Sequence, residues 1–300
     1  MRSALASVLV LAALVLAACG SSAGAGSDGK IQVVAAENFW GSLAAQLGGD
    51  RVKVTNIIHS PGADPHDYEP TPEDARTMAE AKLAIVNGIG YDPWANKLLS
   101  ANPVSGRTVL TVGDVVGVKN GGNPHRWYSP ANVQQVINAI VADYKRIDSD
   151  HASYFDQQKA ALESGGLARY NQLIASIKQR YSGVPVGASE SIFDLLAQGL
   201  GLKLLTPPGF VNAVSEGADP TAADRSTAEQ QIRDKRIKVW VFNSQNSTPD
   251  VQRLTDEARA AGIPVATVTE TPTPASASFQ DWQVRQLEAL EKALATATGR

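Results

Sequence analysis

Short apolar runs rich in β-branched residues alternate with segments of helical spacing along most of this chain. Runs of this length, bounded by polar or turn residues, are typical of buried strands. They cover residues 31–36, 52–58, 83–86, 109–112, 184–187, 203–205, 239–242 and 265–269. Buried strands that alternate with helices predict an α/β fold with mainly parallel sheets. The runs fall into two groups, 31–112 and 184–269, so we expect two Rossmann-like lobes.

The sequence also marks where several helices begin and where one ends. Thr71-Pro72, Ser129-Pro130 and Thr248-Pro249 each place a capping residue before a proline at the first helical position. Gly262 follows the third of these segments and favours the end of its helix. These signals support helices between the predicted strands.

A long helical segment separates the two groups of strands. Tyr170, Leu173 and Ile177 follow helical spacing within residues 150–181. A continuous helix of this length would extend for about 47 Å, enough to join two lobes. Gly165-Gly166 interrupts the pattern, which predicts either a kink or two helices with a short break. We therefore expect an N-terminal lobe at 31–149, a connecting helix at 150–181 and a C-terminal lobe at 182–300.

The N-terminal segment predicts that the protein is exported and attached to a membrane. Arg2 precedes an apolar run that is too short to span a bilayer, which predicts a signal peptide over residues 1–18. The sequence around Cys19 resembles the lipobox of bacterial lipoproteins, in which this cysteine is lipidated. The alternative is an ordinary signal peptide with a free cysteine nearby. Small polar residues follow, so we predict a lipidated cysteine and a flexible tether over 19–30.

The composition excludes several kinds of function. The formal net charge is −3, whereas nucleic-acid binding requires a strongly basic surface. Aromatic residues make up 6% of the chain, which disfavours a stacking platform for bases or sugars. A single cysteine allows neither an internal disulfide nor a zinc site built from cysteines. A metal site in this chain has to use nitrogen and oxygen ligands.

Polar residues follow the predicted strands at the positions where open α/β sheets bind ligands, beyond the carboxyl ends. These residues are Glu37, His66, Asn87, Glu190, Asn243 and Glu270. Because both groups of strands carry such residues, we expect them to face each other across a cleft between the lobes.

His66 and His125 share a local pattern. Each follows a proline and precedes, two residues later, an aromatic residue, and a proline-started helix comes next. The prolines restrict the loops, so little conformational entropy is lost when the imidazoles are positioned to bind a ligand. A lone histidine is usually structural or exposed, but two histidines in matched surroundings predict a pair of metal ligands.

Together these segments resemble the zinc/manganese group of ABC-transporter solute-binding proteins, the extracytoplasmic metal receptors. The similarity is carried by residues 64–70 (DPHDYEP), 123–130 (NPHRWYSP), 189–202 (SESIFDLLAQGLGL) and 268–270 (VTE), with support from 35–49 and 81–94. It extends over nearly all of residues 31–295. The resemblance implies two α/β lobes joined by one long helix, with the metal ion in the cleft between them.

By position, the resemblance implies the metal ligands His66, His125, Glu190 and Glu270. The family has histidine or glutamate at the third position and commonly aspartate at the fourth, so Glu270 departs from the usual pattern. Asp281 is an alternative fourth ligand. Glu37 is expected to support a ligand imidazole or the fold rather than to bind metal. Asn243 is expected to donate a hydrogen bond to a ligand carboxylate.

The ligand set is compatible with Mn²⁺, Zn²⁺ and Fe²⁺. In the family, glutamate at the third position goes with manganese-type members, and the His-rich loop of many zinc-specific members is absent from this sequence. Zn²⁺ nevertheless binds such ligands more tightly than Mn²⁺. We therefore favour manganese and keep zinc open.

The resemblance implies a receptor that captures one divalent metal ion and delivers it to the membrane permease of an ABC importer. We expect a monomer that is anchored to membrane lipid through Cys19 on the extracytoplasmic side of the cell membrane, without a nucleic-acid partner and without catalytic residues. Two alternatives stay open: a metal-dependent hydrolase and a solute-binding lipoprotein for an organic ligand. The sequence contains neither HExxH nor GxSxG, which disfavours the hydrolase. The low aromatic content and the paired Pro-His loops disfavour the organic ligand.

Overall fold

The computed structural model describes residues 29–60, 62, 65 and 67–300. The signal peptide, Cys19 and most of the tether therefore lie outside the described residues, and so does His66. Every predicted strand is present, and no boundary differs from the prediction by more than one residue. The strands are β1 (Ile31–Glu37), β2 (Val52–Ile58), β3 (Leu83–Val86), β4 (Thr108–Thr111), β5 (Pro185–Ala188), β6 (Lys203–Leu204), β7 (Val239–Asn243) and β8 (Val265–Val268).

Helices follow most of the strands, as expected for an α/β fold. They are α1 (Asn38–Gly48), α2 (Pro72–Glu80), α3 (Pro93–Ala101), α4 (Val112–Val116), α5 (Pro130–Ile147), α6 (Ala152–Ala161), α7 (Ala168–Tyr181), α8 (Asp194–Leu200), α9 (Pro208–Ser215), α10 (Ala222–Arg233), α11 (Pro249–Ala260) and α12 (Phe279–Thr298). Within the described part of the chain, no helix combines the length and the apolar composition that a bilayer crossing requires.

The predicted helix caps are confirmed. The Thr71, Ser129 and Thr248 side chains each accept a hydrogen bond from the backbone N–H of the third residue onward, at the starts of α2, α5 and α11. At α2 the pairing is reciprocal, because the Asp74 carboxylate also accepts from the Thr71 N–H at 2.7 Å. Gly262 has a φ of 73° just beyond α11, the left-handed conformation in which glycine ends a helix at little cost.

Both lobes contain a parallel four-stranded sheet with the same topology. The strand order is β2-β1-β3-β4 in the first lobe and β6-β5-β7-β8 in the second. In the first sheet, the strand that follows β1 is added on one side of the central pair, and the strand that follows β3 is added on the other side. In the second sheet, the strands that follow β5 and β7 are added in the same way. Such a switch in strand order opens a crevice at the carboxyl ends of the two central strands. Glu37 and Asn87 lie at this crevice in the first lobe, and Glu190 and Asn243 lie at it in the second.

The predicted connector is helical but not uniform. Helix α6 is followed by a π-helical turn at Leu162–Gly166 and then by α7. The π turn contains Gly165 and Gly166, the pair at which the sequence predicts an interruption. The Leu167 N–H donates to the Leu162 carbonyl at 2.7 Å and closes the turn. The lobe boundaries at 149 and 182 stay predictions.

The lobes share a hydrophobic core, which the sequence pattern does not reveal. The rings of Phe39 from α1 and Trp127 stack with their centroids 4.1 Å apart, and Trp282 from α12 lies 6.4 Å from Phe39. Helix α12 follows the last strand of the second lobe, but it packs against α1 as well as against α7 and β8. The two sheets are therefore held by one continuous apolar cluster rather than by the connector alone.

Polar contacts reinforce this junction. The side-chain amides of Gln46 on α1 and Gln280 on α12 form two reciprocal hydrogen bonds, of 3.1 and 2.7 Å. Next to them, the Phe279 N–H donates to the Ser42 hydroxyl at 2.9 Å. These bonds fix the start of α12 on the first lobe.

We predict that Gln46→Ala and Gln280→Ala each reduce the free energy of unfolding by about 1–2 kcal/mol, since each removes two hydrogen bonds with a net value of about 0.5–1.5 kcal/mol apiece. Because each substitution removes the same pair of bonds, the double variant should lose less than the sum, with a coupling energy of at least about 0.5 kcal/mol. Urea denaturation of the four proteins measures the coupling. As a control, the same four-protein comparison is made with exposed Gln198 on α8 in place of Gln46. In that comparison the two losses of unfolding free energy should add.

Candidate metal centre

Three of the four predicted ligands converge in the cleft between the lobes. Donor atoms of His125, Glu190 and Glu270 all lie within 4.8 Å of one another, the one such group found among the described residues. His125 comes from the first lobe, just before α5, and the two glutamates come from the second lobe. His66 lies outside the described residues, so its place beside this group stays a prediction.

The neighbouring turns orient the imidazole of His125. The residue is 1% exposed, and its ring lies against Trp127 with the centroids 5.3 Å apart. On one side of the ring, Nδ1 lies 2.9 Å from the side-chain oxygen of Asn123. On the other side, Nε2 lies 3.5 Å from Oε1 of Glu270. The nitrogen that faces the carboxylates is thus the one available to a metal ion.

Two amide side chains hold the carboxylate of Glu190. Asn243 Nδ2 donates to Oε1 at 2.7 Å, and Asn246 Nδ2 donates to Oε2 at 2.6 Å. Asn243 also donates to Oε1 of Glu270 at 3.1 Å, so it connects both glutamates. This is the type of contact expected for Asn243 from the sequence.

Glu270 is positioned by two tyrosines of the first lobe. The Tyr91 hydroxyl donates to Oε2 of Glu270 at 3.0 Å. The Tyr128 hydroxyl donates to the backbone carbonyl of Thr269 at 2.8 Å and so fixes the residue before it. The alternative ligand, Asp281, is exposed at the start of α12, where its N–H donates to the Ser278 hydroxyl. Glu270, and not Asp281, belongs to the cluster.

The electrostatics of the cluster favour a cation. Burial raises the pKa of Glu190 well above its usual value, and the negative charge of Glu270 raises it further. Burial also acts to raise the pKa of Glu270, but the charge and hydrogen bond of His125, together with hydrogen bonds from Glu190 and Tyr91, lower that pKa below the usual value. Two carboxylates in a cleft of low dielectric are costly unless a positive charge lies between them. Imidazole nitrogen and carboxylate oxygen form a donor set that suits divalent transition metals.

A cavity of about 320 Å³ opens between the lobes beside the cluster. Asn123 and His125 line it from the first lobe, and Asp194, Ser215 and Glu216 line it from the second. Carboxylates at the mouth of a cleft concentrate cations there. His125 therefore lines a cavity within the cleft, although only 1% of the residue is exposed to solvent.

Comparison with known proteins decides the family. A family model described as the periplasmic zinc-uptake complex component A, ZnuA, matches residues 33–293. The chain belongs to the ZnuA family. This confirms the resemblance that the Pro-His loops and the two glutamate segments indicate.

Characterised relatives of this ZnuA-family chain include two streptococcal lipoproteins. The metal ABC transporter substrate-binding lipoprotein FimA of Streptococcus parasanguinis is 24% identical over 268 residues, covering 83% of each chain. The manganese ABC transporter substrate-binding lipoprotein PsaA of Streptococcus pneumoniae serotype 4 is 24% identical over 262 residues, covering 81% of this chain and 82% of PsaA.

The fold also has counterparts among solved structures. The Mn-bound structure of a periplasmic metal-binding protein from Candidatus Liberibacter asiaticus superposes with a TM-score of 0.74 at 21% identity. The match covers 88% of this chain and all of that protein. At this identity the likeness establishes the fold alone.

Sequence reasoning missed several residues that orient the ligands. Asn123, Tyr91 and Tyr128 stand within the segments that carry the family resemblance, but nothing in their spacing shows that they reach across the cleft. Asn246 lies three residues after Asn243 in a polar turn, and its contact with Glu190 spans 56 positions of the sequence. The packing of the two lobes brings Asn123, Tyr91 and Tyr128 to their partners, and the pairing of β5 with β7 inside the second lobe brings Asn246 to Glu190.

Glu37 lies against another carboxyl group and is not part of the ligand cluster. It is fully buried, and burial followed by the charge of Asp92 raises its pKa well above the usual value. Asp92 accepts hydrogen bonds of 2.7 Å from the backbone N–H groups of Asn87 and Gly88. Burial and the nearby negative charge of Asp92 thus both disfavour the ionised form of Glu37. This arrangement agrees with a supporting role for Glu37 beneath the loop that carries Tyr91.

We predict that Glu37→Gln removes a pH-dependent loss of stability. The folded protein keeps the Glu37 proton at pH values where the unfolded chain releases it, so wild-type stability falls as the pH rises above about 4.5. The amide introduced by the substitution has nearly the same shape as the carboxyl group and does not titrate. Urea unfolding at pH 5 and pH 7.5 measures this effect. Between these pH values, the free energy of unfolding of the variant relative to wild type should rise by up to about 1.4 kcal/mol for each unit by which folding raises the pKa of Glu37. Exposed Glu80→Gln is the control, and an equal response of both variants would contradict the assignment.

Proposed function

We propose that this protein is the extracytoplasmic receptor of an ABC importer, which captures one divalent transition-metal ion and delivers it to a membrane permease. The observation that carries the proposal is the convergence of His125, Glu190 and Glu270 from two lobes onto one buried point. His66 is proposed as the fourth ligand on the basis of its matched Pro-His loop. Membership of the ZnuA family and the transporter names of FimA and PsaA agree with this role.

The site is suited to capture rather than to catalysis. A catalytic metal keeps an open position for water or substrate, whereas four protein ligands close the coordination shell. The groups that hydrogen-bond the two glutamates are the amides of Asn243 and Asn246 and the phenol of Tyr91, which orient oxygen atoms but are poor general bases at neutral pH. The proposed cycle therefore needs binding and release only.

We propose Mn²⁺ as the preferred ion, with Zn²⁺ as the second candidate. A set of two imidazoles and two carboxylates is harder than the histidine-rich or sulfur-containing sites that select zinc. PsaA is named for manganese, while the family is named for zinc uptake. Because Zn²⁺ binds most nitrogen and oxygen sites more tightly, preference in the cell also depends on which metal is available.

The anchor and the permease complete the proposed role. We infer that Cys19 is lipidated and that residues 20–29 tether the folded body to the outer surface of the membrane, where it works as a monomer. The names of FimA and PsaA as lipoproteins support the anchor. A lipidated cysteine with more than one acyl chain gives stable attachment, whereas a single chain is marginal.

We predict that His125→Ala and His66→Ala each weaken Mn²⁺ and Zn²⁺ binding by more than about 100-fold, beyond the range typical of outer-sphere residues. Glu190→Gln should weaken binding while the fold is kept, since glutamine preserves the shape of the side chain. Glu190→His should shift the preference toward zinc. Calorimetry and the metal content of the purified protein measure these effects.

The matched controls are His151→Ala and Glu288→Gln, which alter exposed residues engaged with Asp148 and Arg169. Both controls should bind one equivalent of metal as wild type does. Near wild-type affinity in the His125 and His66 variants would place the site elsewhere and refute the proposed function.

We predict that Cys19→Ser transfers the protein from the membrane fraction to the soluble fraction of cells that express the full chain. Without the thiol there is no attachment point for acyl chains. Immunoblots of fractionated cells give the measurement, and a surface substitution such as Glu80→Gln should leave the protein in the membrane fraction. Retention of Cys19→Ser in the membrane would refute the lipid anchor.

A further inference from the structure

The side chain of Asn123 contacts two of the turns that carry candidate ligands, the turn with His125 and the turn with Glu190. Its Oδ1 lies 3.0 Å from the backbone nitrogen of His125 and 2.9 Å from Nδ1 of the same residue. Its Nδ2 donates to the backbone carbonyl of Ser191 at 2.7 Å. Ser191 directly follows Glu190, so one amide group connects the His125 turn of the first lobe with the Glu190 turn of the second.

The two backbone contacts settle which way this amide points. The Ser191 carbonyl can only accept a hydrogen bond, and the backbone N–H of His125 can only donate one. The NH₂ group of Asn123 must therefore face Ser191, and its oxygen must face His125. Because this oxygen can only accept, Nδ1 of His125 has to carry a hydrogen. In the neutral imidazole, Nε2 is then the free nitrogen, and it faces Glu270.

The His125 turn is held from its other side as well. Asn87 Nδ2 donates to the carbonyl of Pro124 at 3.0 Å, while its Oδ1 accepts from the Trp40 indole at 3.0 Å. Asn87 therefore fixes the turn to the body of the first lobe. Asn123 connects the turn to the Glu190 turn of the second lobe.

We propose that Asn123 is a positioning residue for metal capture: it holds His125 in the Nδ1–H tautomer and ties the His125 turn to the Glu190 turn across the cleft. The proposal rests on the proposed function, since it assigns Asn123 to that same site. Ligands that are oriented before the metal arrives pay less ordering cost when they bind it. An amide suits both tasks, because it supplies an acceptor and a donor on one planar group.

Two substitutions separate the two tasks. Asn123→Ala removes both the acceptor for His125 and the donor to Ser191. Asn123→Asp keeps an acceptor for Nδ1, but it replaces the donor by a second oxygen that faces the Ser191 carbonyl. Exposed Asn120→Ala, in the same loop, is the matched control.

Three measurements on the full folded chain read out the tasks. Imidazole ¹⁵N chemical shifts of the metal-free protein at pH 8 report the tautomer of His125, with the signals assigned by comparison with His125→Gln. Hydrogen–deuterium exchange of residues 189–193 in the metal-free protein reports the tie to the Glu190 turn. Calorimetry with Mn²⁺ and Zn²⁺ reports affinity, and far-ultraviolet circular dichroism verifies folding.

We expect the Nδ1–H tautomer in wild type, Asn123→Asp and Asn120→Ala, and a mixture of tautomers in Asn123→Ala. Exchange at 189–193 should accelerate in both Asn123 variants and not in the control. The affinity of Asn123→Ala should fall by roughly 10–100-fold, the range typical of groups that orient metal-bound histidines.

The proposal is overturned if wild type shows the Nε2–H tautomer, or if Asn123→Ala keeps the wild-type tautomer, exchange and affinity. If Asn123→Ala does not fold, a loss of the Nδ1–H tautomer or unchanged exchange in Asn123→Asp overturns it as well. A wild-type protein that binds no metal refutes the proposed function instead, and the tautomer and exchange data still decide what Asn123 does.

Discussion

In the cleft of this protein, burial and the negative charge of Glu270 together disfavour the ionised form of Glu190. Glu190 and Glu270 bring two carboxylates together beside the free nitrogen of His125, in surroundings from which water is largely excluded. Amide and phenol donors orient these groups, but they supply only partial charges. A divalent cation supplies the full positive charge that this arrangement favours. The rest of the structure can be understood as the scaffold that holds these groups in place.

That scaffold has to keep two lobes in a fixed relation, because the ligands come from both. Each lobe repeats one parallel topology and presents its switch point to the cleft. A continuous apolar core, built around Phe39, Trp127 and Trp282, joins the lobes on the side of the connector. Tyr128 and Asn123 then extend the junction to the ligands, since each starts in the first lobe and bonds a backbone carbonyl next to a glutamate of the second.

The sequence predicts most of the fold because the relevant signals are local. Each strand is a short apolar run, and the caps at Thr71, Ser129 and Thr248 act within three residues. The double role of α12 is not local: its residues follow the last predicted strand and fall within the predicted second lobe, and only the packing shows that the helix also lies against α1. The π turn lies at the glycine pair that predicts an interruption, but its hydrogen bonding is not readable from the sequence.

The candidate site divides in the same way. His125 and Glu190 can be predicted from motifs that surround them, and Glu270 from its position after the last strand. Asn246 and Tyr91 cannot, because their contacts join residues 56 and 179 positions apart. Glu37 shows the opposite case. Its position at the end of a strand suggests a part in the metal site, whereas the structure buries it next to Asp92 and away from the ligand cluster.

A crystal structure of the metal-loaded protein, with anomalous scattering recorded at the manganese and zinc absorption edges, tests the central claim most directly. We expect one strong anomalous peak that lies within about 2.0–2.3 Å of Nε2 of His125, of an oxygen of Glu190 and of an oxygen of Glu270. The imidazole of His66 should complete the shell. A peak outside the cleft, or a cleft without a peak in protein shown to contain one equivalent of metal, would contradict it.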